Sequence, residues 1–300
     1  MGKSELYLGT AGWSYADWRG PFYPVHRASQ EPLRYLARYV DAVEVNTTFY
    51  HVPTVRLADH WLAAVADFPR FVFSLKLWKG FTHEEAEVDS PAAHSFQHVA
   101  RRLADAGRLA AVLAQFPWSF KFDAAGIERI RRLAGTFGRW GLVVEVRHAS
   151  WLRDEFFDLL RGLGCGFCNI DQPVIGPSIG PTAIVTAPPA YVRFHGRRRD
   201  VWFTSDGNSP ERYNYLYNSS EISEWAGRIN EILAQTERTL VIANNHFGGK
   251  AVALTLELKH VLTGKRPPAP PELLRAFPHL RACCVEHSAL PSEDRQLELF

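Results

Sequence analysis

Residues 142–151, LVVEVRHASW, decide the fold. The stretch begins as a hydrophobic β run and ends in Glu145, Arg147 and His148. Successive side chains of a strand alternate sides, so Val144 and Val146 share one face while Glu145 and Arg147 share the other. Apolar residues on one side and charges of both signs on the other describe one stave of a barrel whose mouth does chemistry. An echo lies earlier in the chain, at 42–50, AVEVNTTFY. There Glu44, Asn46 and Thr48 share one side and Val43 and Val45 take the other. The rest of the chain is expected to hold these two glutamates near each other.

Working outward, β runs alternate with helical segments. Strands are expected at 5–11, 42–48, 71–77, 109–115, 142–147, 166–171, 190–194 and 239–243. Helices are expected at 31–39, 55–67, 90–106, 124–137, 153–163, 220–235 and 251–262. Leu57, Trp61, Leu62 and Val65 recur at helical spacing, and Ser90 followed by Pro91 marks a helix start. A Pro- and Gly-rich connection at 172–189 stands in for one helix. Such strict alternation argues for a parallel sheet. Eight repeats in this length fit an α/β fold, a closed (β/α)8 TIM barrel. An open doubly wound sheet is the alternative, but no strand leads into G-x-G-x-x-G or a Walker loop. The barrel is expected over 1–263, with a looser Pro-rich extension and tail over 264–300.

With 46% hydrophobic and 22% charged residues, the 300-residue chain is globular rather than disordered. A net charge of +2, spread along the chain, gives no polybasic signal for tight non-specific nucleic-acid binding. The start, MGKSELYLG, runs almost straight into a strand and lacks a secretory signal. Leu6 stands where a myristoylation signal needs Ser or Thr, and no run approaches the length of a membrane span. A cytoplasmic protein without membrane contact is the expectation. Cys165 and Cys168 form a C-x-x-C in GCGFCNID, which reads as a strand, and there is no second pair to complete a zinc site. Cys283 and Cys284 are adjacent, and all four cysteines are expected to be reduced.

Active sites of such barrels sit at the C-terminal ends of the strands. The polar residues there are Glu44, Asn46, Lys76, Gln115, Glu145, Arg147, Asn169, Asp171, Arg193, His195 and Asn244 to His246. Polar residues thus end seven of the eight expected strands, which points to a functional pocket. Glu44, Glu145, Asp171 and His195, with His246, are candidate ligands for a divalent metal ion, although no dedicated spacing is present. Lys76, Arg147 and Arg193 can grip a phosphate or a carboxylate. The bland alternative pairs the glutamates with these cations inside a polar barrel core. Trp13, Trp18, Trp78, Trp118, Trp151 and Trp202 all follow strands, with Tyr15, Phe49 and Tyr50 nearby, and an aromatic rim stacks on sugars or bases.

The segments GTAGWSYADWRGPFYP, EVNTTFYHVPT, FSLKLWKGFTH, QFPWSFKF, VEVRHASW, YVRFHGR and IANNHFGGKAV resemble the YecE-like family, domain of unknown function 72. The resemblance spans roughly residues 5–260 and implies a TIM barrel without an established reaction. It carries over Gly12, Trp13, Tyr15, Glu44, Asn46, Phe49, Tyr50, Lys76, Glu145, Arg147, His195, Gly196 and Asn244. Separately, the end of the chain, QLELF, resembles the pentapeptide by which bacterial proteins dock on the DNA sliding clamp. Gln296, Leu297, Leu299 and Phe300 would supply the amide and the apolar anchors.

Three functional expectations follow. The first is a hydrolase acting on a phosphodiester, with nucleic acid as a substrate or partner. Glu44, Glu145, His195 and Lys76 would do the chemistry, and Trp13, Tyr15, Asn46, Tyr50, Arg147, Arg193 and Asn244 would bind substrate. The second is a glycoside-type hydrolase using Glu44 and Glu145 as a carboxylate pair. The third is a non-enzymatic binding protein recruited to the sliding clamp through the tail.

Overall fold

In a computed structural model, which describes residues 4–25, 31–202 and 210–287, the chain folds as the alternation expects. Eight parallel strands close into a barrel in chain order. They are β1 (Glu5–Ala11), β2 (Ala42–Val45), β3 (Val72–Lys76), β4 (Leu109–Gln115), β5 (Leu142–Glu145), β6 (Gly166–Asp171), β7 (Ala190–Phe194) and β8 (Arg238–Ala243). The seam closes where β8 pairs with β1, Thr10 opposite Ala243. Register brings Glu44 opposite Ala11 and Ser74, and Glu145 opposite Gln115, so polar tips gather at one end.

The helices outside the barrel cover the alternate, apolar positions of the strands. Pro91–Asp105 buries Phe96, Val99, Ala100 and Leu103, a helical stripe, and its start is capped by Ser90 Oγ accepting from Ala93 N at 3.3 Å. Ala124–Phe137 is capped by Asp123 and buries Ile130, Leu133 and Phe137. Ser219–Leu233 begins with a reciprocal capping box between Asn218 and Glu221. The connection at 172–189 contains no helix, as its Pro and Gly content requires.

The differences from expectation are local. β2 ends at Val45, and Thr47–Tyr50 is a helical turn instead of a strand end. Thr48 causes this: its hydroxyl lies 2.7 Å from Val45 O and 2.6 Å from Lys76 O, tying the turn to β3. β5 likewise stops at Glu145, so Arg147 belongs to the loop that follows.

The segment from Gly264 to His287 is folded onto the barrel. Pro268–Ala269 pairs in parallel with Val285–Glu286, and the helix Pro271–Ala276 lies between them. Leu273, Leu274, Phe277 and Leu280 are buried in the same hydrophobic core as the barrel. Its prolines start elements rather than loosening them, because Pro suits the first helical turn. Gln296, Leu297, Leu299 and Phe300 lie outside the described residues. No helix among the described residues is long and apolar enough to cross a membrane.

This packing makes the extension part of the folding unit. Leu273→Ala is expected to lower unfolding stability by about 2–5 kcal/mol, the usual cost of an emptied core leucine. Urea unfolding measures it, and a change within about 0.5 kcal/mol would show that the extension packs loosely.

Candidate functional site

The mouth is built on one side chain that crosses the barrel. Arg193 rises from β7 and is 1% exposed. Its Nη2 donates to Glu44 Oε1 on β2 at 2.5 Å, and its Nη1 donates to Glu145 Oε2 on β5 at 2.5 Å. Both glutamates are fully buried. Glu44 and Glu145 reach the interior for the reason visible in the sequence, since each sits between two valines that face the helices. Tyr191 OH donates to Glu44 Oε2 at 2.9 Å and lies 3.0 Å from Ser74 Oγ.

Glu145 also gathers the next layer. Its Oε1 accepts from Arg147 Nε at 3.1 Å and lies 3.1 Å from His195 Nε2. Asn244 Nδ2 lies 2.9 Å from His195 Nδ1. An amide donor on Nδ1 and a carboxylate on Nε2 assign the proton to Nε2, so the imidazole is neutral and donates to Glu145. Burial, then the neighbouring Arg147 guanidinium, pushes the His195 pKa down to about 3. For Glu145, burial alone would raise the pKa. Arg193, His195 and Arg147 outweigh it and hold the carboxyl well below its ordinary range.

Above this layer opens a cavity of about 310 Å³. Lys76, Arg147 and Arg193 line it, with Asn46, Gln115 and Asn244, and none of its described lining residues carries a carboxylate. Its aromatic wall is Trp13, Tyr15, Tyr50, Tyr213 and His246. Tyr15 and His246 stack with centroids 4.3 Å apart and planes 4° apart. Burial lowers the His246 pKa to about 4, and its buried Nδ1 has no hydrogen-bond partner. Gly12 makes the tight entry to this wall. It adopts φ +79°, and a Cβ there would stand 2.6 Å from the Tyr15 hydroxyl, so only glycine fits.

Lys76, at the end of β3, is half-buried beside the cavity. Its Nζ lies 4.0 Å from the centroid of the Phe49 ring, and it forms no ion pair among the described residues. Burial first, then Arg193, lowers its pKa from 10.5 to about 7; Glu44 and Glu145 oppose that shift without cancelling it.

Every expected binding residue, Trp13, Tyr15, Asn46, Tyr50, Arg147, Arg193 and Asn244, therefore lines one cavity, together with Lys76. Glu44, Glu145 and His195 lie one layer beneath it. Tyr213 and His246 complete the wall. His246 carried a signal as a strand-end residue, whereas Tyr213 comes from a Tyr-rich loop whose course alternation cannot predict.

The expected metal set does not assemble. Asp171 faces the other side of the sheet, bound by Arg197 Nε at 2.9 Å, Tyr217 OH at 2.9 Å and Trp225 Nε1. Arg193 stands between Glu44 and Glu145, and the described residues contain no cluster of three His, Cys, Asp or Glu able to hold a metal ion. The donor set thus does not fit a divalent cation. The tryptophan rim is also narrower than expected. Trp18 and Trp151 are fully buried packing residues that donate to His246 O and Phe120 O, and of the six only Trp13 lines the cavity. A post-strand position marks a loop over the barrel end, and such loops need their own core. Cys165 and Cys168 are free and buried.

The family described as "Protein of unknown function DUF72" matches residues 7–275. The chain is 28% identical over 260 residues to the UPF0759 protein YunF of Bacillus subtilis, covering 82% of this chain and 90% of that protein. A DUF72 family crystal structure from Thermotoga maritima is similar at a TM-score of 0.76 and 32% identity, over 86% of this chain and 98% of that one. A DUF72 structure from Enterococcus faecalis shares the fold at a TM-score of 0.75 and 23% identity, over 86% and 95% of the two chains.

Two substitutions probe the layered site. Arg193→Met strands two buried carboxylates and is expected to cost about 3–5 kcal/mol in denaturant unfolding at neutral pH. Lys76→Met is expected to stabilise the fold. Below about pH 7 the amine is charged in the folded and unfolded chain alike, and the burial penalty is present in full. Between about 7 and 10.5 the unfolded chain holds more protons, so native stability rises with pH and the gain from Lys76→Met shrinks. Thermal midpoints across that range measure it; a gain that does not vary with pH would refute the shifted amine.

Proposed function

Because the chain belongs to the DUF72 family, whose description assigns no reaction, we propose its function from the barrel mouth: an enzyme that cleaves a phosphoester bond in a small, ring-bearing substrate such as a nucleotide or the end of a nucleic-acid strand. The observation that carries this reading is a charge balance. Beneath and beside the cavity, two carboxylates, Glu44 and Glu145, are matched by two guanidiniums, Arg193 and Arg147. Lys76 is left with no counter-charge, and an anionic ligand supplies it.

The other features fit the same substrate. A cavity of about 310 Å³ sits at the small end of ligand pockets, about 300–1,000 Å³, and suits a single nucleotide unit rather than a duplex. The aromatic wall offers a face for a ring, and the three amides offer polar edges. In this reading Arg147 faces the non-bridging oxygens, where charge builds in the transition state. Lys76, with a pKa of about 7, is protonated in part at neutral pH and protonates the leaving oxygen. His246, held neutral by burial and stacked on Tyr15, extends the ring face of the wall. Glu145 and His195 position Arg147 without touching substrate.

A carboxylate-pair glycosidase gains less support. It needs both carboxyls to face the sugar, and neither Glu44 nor Glu145 lines the cavity. Each glutamate also spends one oxygen on Arg193 and the other on a further partner, Tyr191 for Glu44 and Arg147 with His195 for Glu145.

The test is hydrolysis of bis(p-nitrophenyl) phosphate and of nucleotides by the purified chain, with inorganic phosphate as competitor. Arg147→Gln is expected to lower kcat/KM by about 10²–10³, the range for losing one preorganised charge-stabilising donor. If calorimetry shows no binding of phosphate or nucleotides at millimolar concentration, the reading is wrong.

A further inference from the structure

The lysines of the described chain are not alike. Lys79 pairs with Glu84 and Lys259 with Asp41, while Lys121 and Lys265 are exposed. Lys250 donates to Asn214. Lys76 alone of these lines the barrel-mouth cavity. Its backbone is fixed, because its carbonyl oxygen lies 2.6 Å from Thr48 Oγ1 and its strand continues into the barrel wall. The Phe49 ring covers one side of Nζ at 4.0 Å and limits how water can approach. Arg147 and Arg193 share the cavity and disfavour a further positive charge beside them.

We infer that the Lys76 amine is a carbonyl-condensing nucleophile, and that the pocket takes anionic aldehydes and ketones and holds them as an imine at Nζ. The inference rests on the anion-binding reading above for the part of the ligand that Arg147 faces, and goes beyond it in the covalent bond. A lysine becomes a nucleophile when it is desolvated next to other cations, which is the setting here. Its pKa of about 7 leaves a substantial fraction as free amine at neutral pH.

The step balances without a co-reactant. The Nζ lone pair attacks the carbonyl carbon and forms a C–N bond. The π pair moves to oxygen, which takes up a proton as nitrogen gives one up, and a carbinolamine results. Nitrogen then donates its lone pair to form C=N as the hydroxyl leaves with a proton. One carbonyl and one amine give one imine and one water, with no change of oxidation state. If the imine is protonated, its positive charge takes the place of the ammonium, and the ligand's own anionic group is the counter-ion that Lys76 lacks.

The probe is glycolaldehyde phosphate with cyanoborohydride, which reduces an imine to a stable secondary amine, read by intact mass and peptide mapping. The expected result is one adduct per chain, on Lys76, formed about tenfold or more faster than with glycolaldehyde. It should also form faster than adducts on Lys121 or Lys265, and inorganic phosphate should slow it. The Lys76 rate should level off above about pH 7, whereas the surface lysines keep gaining rate towards their ordinary pKa near 10.5. Lys76→Arg, which keeps a cation but cannot condense, should lose this adduct while keeping its thermal midpoint at about pH 6, where Lys76 is itself charged. If adducts spread evenly over Lys76, Lys121 and Lys265, or Lys76 stays unlabelled while phosphate binds, the imine is refuted and the anion reading stands. If Lys76 labels as fast with glycolaldehyde as with its phosphate, the imine stands and the anion reading falls.

Discussion

The guanidinium of Arg193, held between Glu44 and Glu145, is the constraint on which the mouth depends. A barrel interior is ordinarily filled by layers of branched apolar side chains. Here one layer is replaced by an ion network joining β2, β5 and β7. Such a network gains little stability, because the desolvation of three charges offsets their attraction. What it supplies is position. Glu145, once fixed, holds Arg147 and His195, and His195 in turn meets Asn244 at the end of β8. On the other side, the Glu44 carbonyl accepts from Gly12 N at 2.8 Å, which starts the loop carrying Trp13 and Tyr15. Residues from five strand ends are thereby set against one another through a single side chain.

The same layer creates the charge imbalance that gives the pocket its chemistry. With both carboxylates matched, Lys76 is driven towards neutrality by burial and by Arg193. His195 is kept neutral and inert as a proton carrier, because releasing its Nε2 proton would break the contact with Glu145. The titrating group of the mouth is therefore the lysine that faces the cavity, not the histidine beneath it. A site with an unmatched amine is less stable than an apolar one, and that cost is the usual mark of a site kept for function rather than for folding.

How much of this was legible follows from which residues were informative. The Val-Glu-Val pattern around Glu44 and Glu145 was enough to place both carboxylates inside the barrel, since alternation on a strand is geometric. Strand-helix alternation was enough for the closed parallel sheet. Depth was not legible. Glu145 and Arg147 are two residues apart on one face, yet one is a buried support and the other lines the cavity, because β5 ends between them. Arg193 read as a phosphate ligand, but its pairing with both glutamates depends on distances across the barrel that no local pattern encodes. Trp18 and Trp151 misled for a related reason: a loop that closes a barrel end must bury its own aromatics, and in sequence these look the same as a binding rim. The extension after Gly264 read as loose because its prolines suggest breaks. Leu273, Leu274, Phe277 and Leu280 carry the opposing apolar signal, and packing decided in their favour.

Arg193 also bears on what kind of catalyst the mouth can be. Two inward carboxylates from neighbouring parts of a barrel are the usual cradle of a divalent cation, which needs oxygens about 2.0–2.6 Å away. In this chain the nitrogens of one guanidinium sit 2.5 Å from an oxygen of each glutamate, in the space such an ion would need. A guanidinium differs from a metal ion in three ways that matter here. It stays charged at every physiological pH, and its pairing with Glu145 and Glu44 outweighs burial and holds its pKa well above the ordinary value. It cannot polarise a bound water as a Lewis acid does, so in the proposed reaction proton transfer falls to a side chain that titrates, Lys76. And it is directional, so both glutamates are locked in the plane of its fork, which in the proposed reading leaves Arg147 and Lys76 to meet the ligand. The positive field of the mouth is thus a covalent part of the fold, and Lys76 is the cation that this field leaves unmatched.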